Sequence, residues 1–234
     1  METKPSQTLI VAHRGGAKTK ALENTLEAFK RAFTLDADAI EGDFHLTSDN
    51  HIICYHDYTL QNFVIKNSTL AELQALQPNL PTLKEVLSLI PIDKMIYIEI
   101  KCGIEIFEYL VPIIQNSNLL QSQIVIIAFD AEVIHQAKET YPNIKAYWLY
   151  ELKEEEIPSY SDMKKLLAIS KADGLSTNVT SHTDEKFVRS LIDAGYSYHV
   201  WTYKTYPIDS FEKIDMLKAW GVASITLDAI DIVL

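Results

Sequence analysis

A (β/α)₈ barrel is the fold class this sequence predicts, on three observations. Short β-branched apolar runs alternate with helix-patterned stretches from end to end of the 234 residues. Eight such runs remain once one run, too close to its predecessor to be its parallel neighbour, is set aside. No linker, low-complexity stretch or composition break divides the chain, so 1–234 reads as one barrel domain. A doubly wound open sheet is the alternative fold, since alternation alone does not prove closure.

The first strand is 9–12, closed by His13-Arg14-Gly15-Gly16. Asn24 opens a helix through 35 as N-cap, with Glu27 at the third helical position in a capping-box arrangement. The second strand is 39–46, and a turn at 47–51 leads into the apolar run 52–55. Parallel neighbours need a crossover of about a dozen residues, so this run is a hairpin return or excursion. Helices at 69–76 and 82–90 complete a small insertion after strand two. The pattern then reads strand 95–101, helix 105–115, strand 124–129, helix 131–140 and strand 144–150. Helix 153–170, strand 173–177, helix 184–194, strand 197–203, helix 207–220 and strand 223–227 finish it.

Composition narrows the functional class. With 47% hydrophobic and 23% charged residues the chain is an ordinary soluble globular protein. Two cysteines, Cys54 and Cys102, make no disulfide framework and fit a reducing compartment. The N-terminal stretch has no secretion-signal pattern, and no apolar run is long enough to span a bilayer. A cytoplasmic protein without stable membrane insertion is expected. The net charge of −11 argues against nucleic acid and anionic membrane surfaces. A small phosphate remains open to a site where local cations or a metal reverse the field.

In a barrel the active site lies at the carboxyl ends of the strands, and the unusual polar residues gather there. His13 and Arg14 end strand one; Glu41 and Asp43 sit late in strand two. Glu99 and Lys101 end strand three, and Trp201 and Tyr203 end strand seven. Asp228 follows strand eight. The i, i+2 spacing of Glu41 and Asp43 puts both carboxylates on one face, roughly 7 Å apart along the chain. With Glu99 they make three carboxylates that repel unless a cation joins them, and an all-oxygen set suits Mg²⁺ or Ca²⁺. The alternative is an ion network with Arg14 and Lys101. His13 and His56 suit a general acid and base, or else metal ligation or loop hydrogen bonding. His45, His51, His135, His182 and His199 look like surface or structural residues. Arg14 and Lys101 supply positive charge for an anion, and Trp201 an apolar wall. Cys54 reads as a small buried filler.

The order His13-Arg14-Gly15, Glu23-Asn24-Thr25, Glu41-x-Asp43, Thr47-x-Asp49, His56-Asp57, Pro81-Thr82-Leu83-x-Glu85, Ile98-Glu99-Ile100-Lys101 and Val200-Trp201-Thr202 resembles the glycerophosphodiester phosphodiesterases over nearly the whole chain. The resemblance implies a TIM barrel that hydrolyses glycerophosphodiesters to glycerol 3-phosphate and an alcohol. It implies Glu41, Asp43 and Glu99 as ligands of Mg²⁺ or Ca²⁺, His13 and His56 as the acid–base pair, and a small-molecule phosphodiester as partner. Arg14 and Lys101 would take the phosphate, with Trp201 lining the alcohol or glycerol side. The chain departs from the family pattern in a short 58–80 segment, in Leu22 before Glu23, in Ala128 before Phe129, after Thr202, and in Ala223-Ser224-Ile225. These departures fall on the binding side. A phospholipase D-like or cyclising activity on lysophospholipids and a non-catalytic phosphodiester-binding barrel are the alternative functions.

Overall fold

The computed structural model of the chain describes residues 8–17, 19–153, 159–180, 183–202, 207–208 and 210–232. In chain order the elements begin with β1 (Leu9–Ala12), α1 (Leu26–Thr34), β2 (Ala39–Leu46) and β3 (Ile52–Cys54). The two-residue strands β4 (Thr59–Leu60) and β5 (Phe63–Val64) follow, then α2 (Leu70–Leu76) and α3 (Leu83–Ser88). Next come β6 (Met95–Ile100), α4 (Phe107–Gln115), β7 (Ile124–Ala128), α5 (Ala131–Thr140), β8 (Lys145–Tyr150) and α6 (Tyr160–Ser170). The chain closes with β9 (Gly174–Asn178), α7 (Glu185–Asp193), β10 (Ser197–Trp201), α8 (Phe211–Trp220) and β11 (Ser224–Leu227).

Strands β1, β2, β6, β7, β8, β9, β10 and β11 pair in parallel in that order, and β11 pairs back onto β1. The sheet therefore closes into the eight-stranded barrel, and the open-sheet alternative falls. Alternation along each strand separates two cores. Val11, Ala39, Tyr97, Val125, Ile127, Tyr147 and Leu149 fill the barrel interior. Residues of opposite parity, among them Ile40, Phe44, Ile98, Ile126 and Val200, pack outward against the helices. Toward the carboxyl ends, charged side chains take over the inward positions.

The run at 52–54 pairs antiparallel to β2, as its short connection requires, with Phe44 opposite Cys54. The excursion carries its own small core of Ile53, Leu60, Ile65, Leu73 and Leu80. It is closed on itself by Cys54 N donating to the Pro81 carbonyl at 2.8 Å, and tied to the barrel by Tyr55 N donating to the Asp43 carbonyl at 2.9 Å. Both of its helices start on full capping boxes, Thr69 with Glu72 and Thr82 with Glu85.

One predicted cap moves. Thr25, not Asn24, caps α1, its hydroxyl accepting from Ala28 N, so Glu27 is not at the third helical position. Asn24 is in the left-handed region at φ 58 and spends its side chain on Asp43 instead. Several predicted ends also shift. The helix expected from 153 begins at Tyr160 on a Ser159 cap, and that expected from 207 begins at Phe211 on a Ser210 cap. Tyr203, expected at a strand end, and His182 lie outside the described residues, as do 154–158 and 209. Among the described residues no helix is long and apolar enough to cross a membrane.

Because the excursion has a core separate from the barrel, its stability should be separable. Leu73→Ala empties a fully buried position and is expected to cost about 2–5 kcal/mol. Amide exchange should accelerate between 53 and 80 while β6 and β7 keep their protection. Equal acceleration in the barrel strands would show one cooperative unit instead.

Candidate active site

The register of two strands builds the centre. Asp43 on β2 stands level with Glu99 on β6, and Glu41 lies one inward position below Asp43. Each of the three offers an oxygen within 4.8 Å of the others, and exposures are 2%, 0% and 8% for Glu41, Asp43 and Glu99. The chain leaving β1 turns tightly here. Arg14 adopts φ 49 and Gly15 φ 86. A Cβ on Gly15 would sit 2.7 Å from that of Ala28, so only glycine lets the turn lie this close to α1. The turn aims Arg14 N at Glu41 Oε2, 3.0 Å away.

Asp43 is ringed by donors. Asn24 Nδ2 donates to Oδ2 at 2.8 Å, and Asn24 Oδ1 accepts from Asp43 N at 3.1 Å. Arg14 Nε lies 3.2 Å from Oδ2, and Lys101 Nζ lies 3.4 Å from Oδ1. Lys101 Nζ also donates to Glu99 Oε1 at 2.8 Å, while Arg14 donates to Glu23 at 2.8 Å. Burial pushes the Asp43 carboxyl up, yet Lys101, Arg14, His56 and the Asn24 amide together hold it below the usual range. Glu41 goes the other way. Burial, then the Asp43 charge, push it up to about 8, with Glu99 adding to the effect. Glu99 is raised by burial and by Asp43. Glu41 Oε1 and Asp43 Oδ1 are buried without a hydrogen-bond partner, and such oxygens suit a cation.

Two histidines face this centre from different parts of the chain. His13 Nδ1 bonds Asp228, and its Nε2 lies 3.9 Å from Glu41 Oε2. Burial lowers the His13 pKa, but the bond to Asp228 and the Glu41 charge more than offset it, so the net shift is upward. His56 Nδ1 bonds Asp57 at 2.6 Å, and Asp57 pairs with Lys20 at 3.3 Å. In both rings the carboxylate takes Nδ1 and leaves Nε2 for a proton. A cavity of about 760 Å³ opens at the carboxyl ends of the strands. His13, Arg14, Glu41, His56, Glu99, Lys101 and Trp201 all line it. Trp201 and Phe129 meet edge to face across it, ring centroids 6.3 Å apart.

The eight residues given site roles from the sequence thus fall at one mouth: seven line the cavity, and Asp43 lies buried behind them. The supporting residues were less legible. His45 is buried with Nε2 3.3 Å from the His56 carbonyl, and burial drives its pKa down to about 4. It is a neutral prop for the segment that carries His56. His199, expected as a surface or structural residue, is a buried one, held inside the barrel between Ser224 and Thr226. Cys54 is an inert filler, its thiol raised by burial, with Sγ donating to Asn24 Oδ1 at 3.2 Å. The inward parity of His45 and His199 on their strands was the available signal.

Comparison with known proteins gives a consistent result. The glycerophosphoryl diester phosphodiesterase family profile matches residues 13–232. A glycerophosphodiester phosphodiesterase of Caldanaerobacter subterraneus is 35% identical over 166 residues, covering 62% of this chain and 68% of that protein. The crystal structure of one from Thermotoga maritima superposes with a TM-score of 0.77 at 24% identity, covering 96% of both chains. A phosphodiesterase of Oleispira antarctica, solved in complex with the product sn-glycerol-3-phosphate, gives a TM-score of 0.78 at 22% identity over 95% of this chain and 93% of that one.

The raised Glu41 carboxyl has a measurable consequence. Between its ordinary value of 4.5 and about 8, the folded metal-free protein keeps a proton that the unfolded chain has lost. Its stability therefore falls as pH rises through that window, and His13, also raised, acts in the same direction. Denaturant titrations in chelator should show a loss on the order of a few kcal/mol between about pH 5 and about pH 8. Glu41→Gln should flatten most of it. An unchanged slope in that variant would disprove the assignment.

Proposed function

Because the chain belongs to the glycerophosphoryl diester phosphodiesterase family, and is accordingly a hydrolase, we propose that it cleaves glycerophosphodiesters to glycerol 3-phosphate and an alcohol with a divalent cation at the carboxylate centre. One observation carries this reading. Three buried carboxylates, two carboxylate-oriented histidines and two cations meet in one cavity. The product bound in the Oleispira antarctica structure is the glycerol phosphate half of such a substrate.

The donor set fits a hard cation. Glu41, Asp43 and Glu99 would hold it through oxygen alone, which suits Mg²⁺ or Ca²⁺. When bound it supplies neutralisation of the phosphoryl oxygens. The rest is done by this chain's side chains. Lys101 and Arg14 add positive charge at the same oxygens, and Arg14 can meet two of them at once. His13 and His56 each hold Nδ1 on a carboxylate and present Nε2, so one takes the proton of the attacking hydroxyl while the other protonates the departing alkoxide. Burial of the carboxylates keeps water from screening these charges. Trp201 and Phe129 form the apolar wall for the carbon skeleton.

His13→Ala and His56→Ala are each expected to lower kcat about 10²–10⁴-fold while leaving the fold and cation affinity in place. Release of the head-group alcohol, which both substrate classes share, should be assayed on several glycerophosphodiesters and on lysophospholipids, with Mg²⁺, with Ca²⁺ and with chelator. Turnover that survives either substitution would sink the acid–base roles. Turnover indifferent to chelator would sink the cation. Lysolipids as the preferred substrates would favour the lipase-like alternative.

A further inference from the structure

Below the His13–Asp228 pair, the barrel interior holds four polar side chains that none of the roles above uses. The Tyr97 phenol donates to Ser224 Oγ at 2.9 Å. Ser224 Oγ lies 2.5 Å from His199 Nδ1, and Thr226 Oγ1 lies 3.0 Å from His199 Nε2. All four are buried, Ser224 at 0%, Tyr97 and His199 at 1% and Thr226 at 3% exposure. Strand register explains the line. His199 on β10 is level with Ser224 on β11, Trp201 is level with Thr226, and Thr226 is level with Val11, one inward position below His13.

Counting hydrogens gives this chain a direction. Burial drives the His199 pKa down to about 3, so the ring is neutral and carries one N–H. Three hydroxyls and that ring bring four hydrogens to three hydrogen bonds. One hydrogen is left for something outside the chain. If His199 carried it on Nδ1, the idle hydrogen would fall on Ser224 or Tyr97, neither of which lines the cavity. A buried donor left unmet costs about 1–3 kcal/mol. With the hydrogen on Nε2, Tyr97 donates to Ser224, Ser224 to Nδ1 and Nε2 to Thr226. The spare hydrogen is then on Thr226, which does line the cavity. Among the described residues the Thr226 hydroxyl has no other hydrogen-bond partner.

Resting on the cavity's reading as a glycerophosphodiester site, we propose that the Thr226 hydroxyl donates a hydrogen bond to an oxygen of the glycerol phosphate half of the substrate, with His199 as the positioning residue that prevents it from turning inward. The relay leaves the Thr226 hydrogen free for the cavity and fills one of its oxygen's two lone pairs, so a ligand lone pair is favoured at that point.

Two measurements on the full chain test this. Nitrogen-15 spectra of the histidine rings should show His199 protonated on Nε2 and bare on Nδ1, at every pH where the protein is folded. A His199 ring protonated on Nδ1 would overturn the relay whether or not the protein is active. Thr226→Val keeps the side-chain shape and removes the donor; Thr226→Ser keeps the donor. With Mg²⁺ present, glycerol 3-phosphate should bind about 3- to 10-fold more weakly to the valine variant and near normally to the serine variant. An equal loss for inorganic phosphate places the donor on a phosphoryl oxygen, and none places it on a glycerol hydroxyl. Unchanged glycerol 3-phosphate affinity in the valine variant would disprove the contact. Wild-type turnover of a glycerophosphodiester, run alongside, tests the parent reading separately.

Discussion

Three carboxylates that offer oxygens within 4.8 Å of one another, out of water, are the constraint on which the rest of this molecule depends. Glu41, Asp43 and Glu99 are forced together by the parallel register of β2 and β6. Their mutual repulsion is not relieved by solvent. The surroundings answer it unevenly. Asp43 receives Asn24, Arg14 and Lys101 and stays ionised; Glu41 receives one backbone amide and a distant histidine and is left protonatable near neutrality. A symmetric distribution of donors would have produced three ordinary carboxylates and no reason to take up a cation.

The excursion after β2 solves a different problem, that of bringing His56 to a centre defined by barrel strands. It cannot be a barrel strand itself, because its connection is too short for a parallel crossover. Instead it folds back antiparallel on β2, is fastened at Asp43, and has its own apolar core. The Tyr55 amide bonds the carbonyl of Asp43, and the His45 ring bonds the carbonyl of His56. The segment that carries His56 is thus indexed to the same strand that carries two of the carboxylates. A loop without that core would leave His56 free to drift by ångströms, and proton transfer does not tolerate such drift.

The sequence disclosed what depends on periodicity and hid what depends on closure. The i, i+2 spacing of Glu41 with Asp43 and of Glu99 with Lys101 needs only the pleat of a strand, so the acidic face could be read directly. The eight-unit alternation needs only counting. Asn24 was misread because its local pattern is a good helix cap, whereas its actual partner is 19 residues away on β2. His199 was passed over because a histidine between Tyr198 and Val200 has no local sign of its neighbours. Its partners Ser224 and Thr226 are 25 and 27 residues further on and meet it only through strand pairing. Long-range side-chain hydrogen bonds leave no periodic trace, and those are the bonds that orient this site.

Formal charge at the carboxylate centre bears on how an acidic protein could take a phosphate here. Counting the three carboxylates with Arg14 and Lys101 alone, and leaving out Glu23, which also pairs with Arg14, one negative charge is in excess. Protonation of Glu41, favoured by its burial, cancels that excess in the metal-free protein. Exchange of that proton for a divalent cation would leave the same group of residues one charge positive. That would complement a phosphodiester monoanion, and only in the cation-loaded form. Asn24 is a neutral amide where a third cation could have stood, and this keeps the arithmetic conditional. With a lysine or arginine there the mouth would already be neutral with all three carboxylates ionised. Cation uptake would then lose its electrostatic drive, and the coupling between cation and phosphate would go with it.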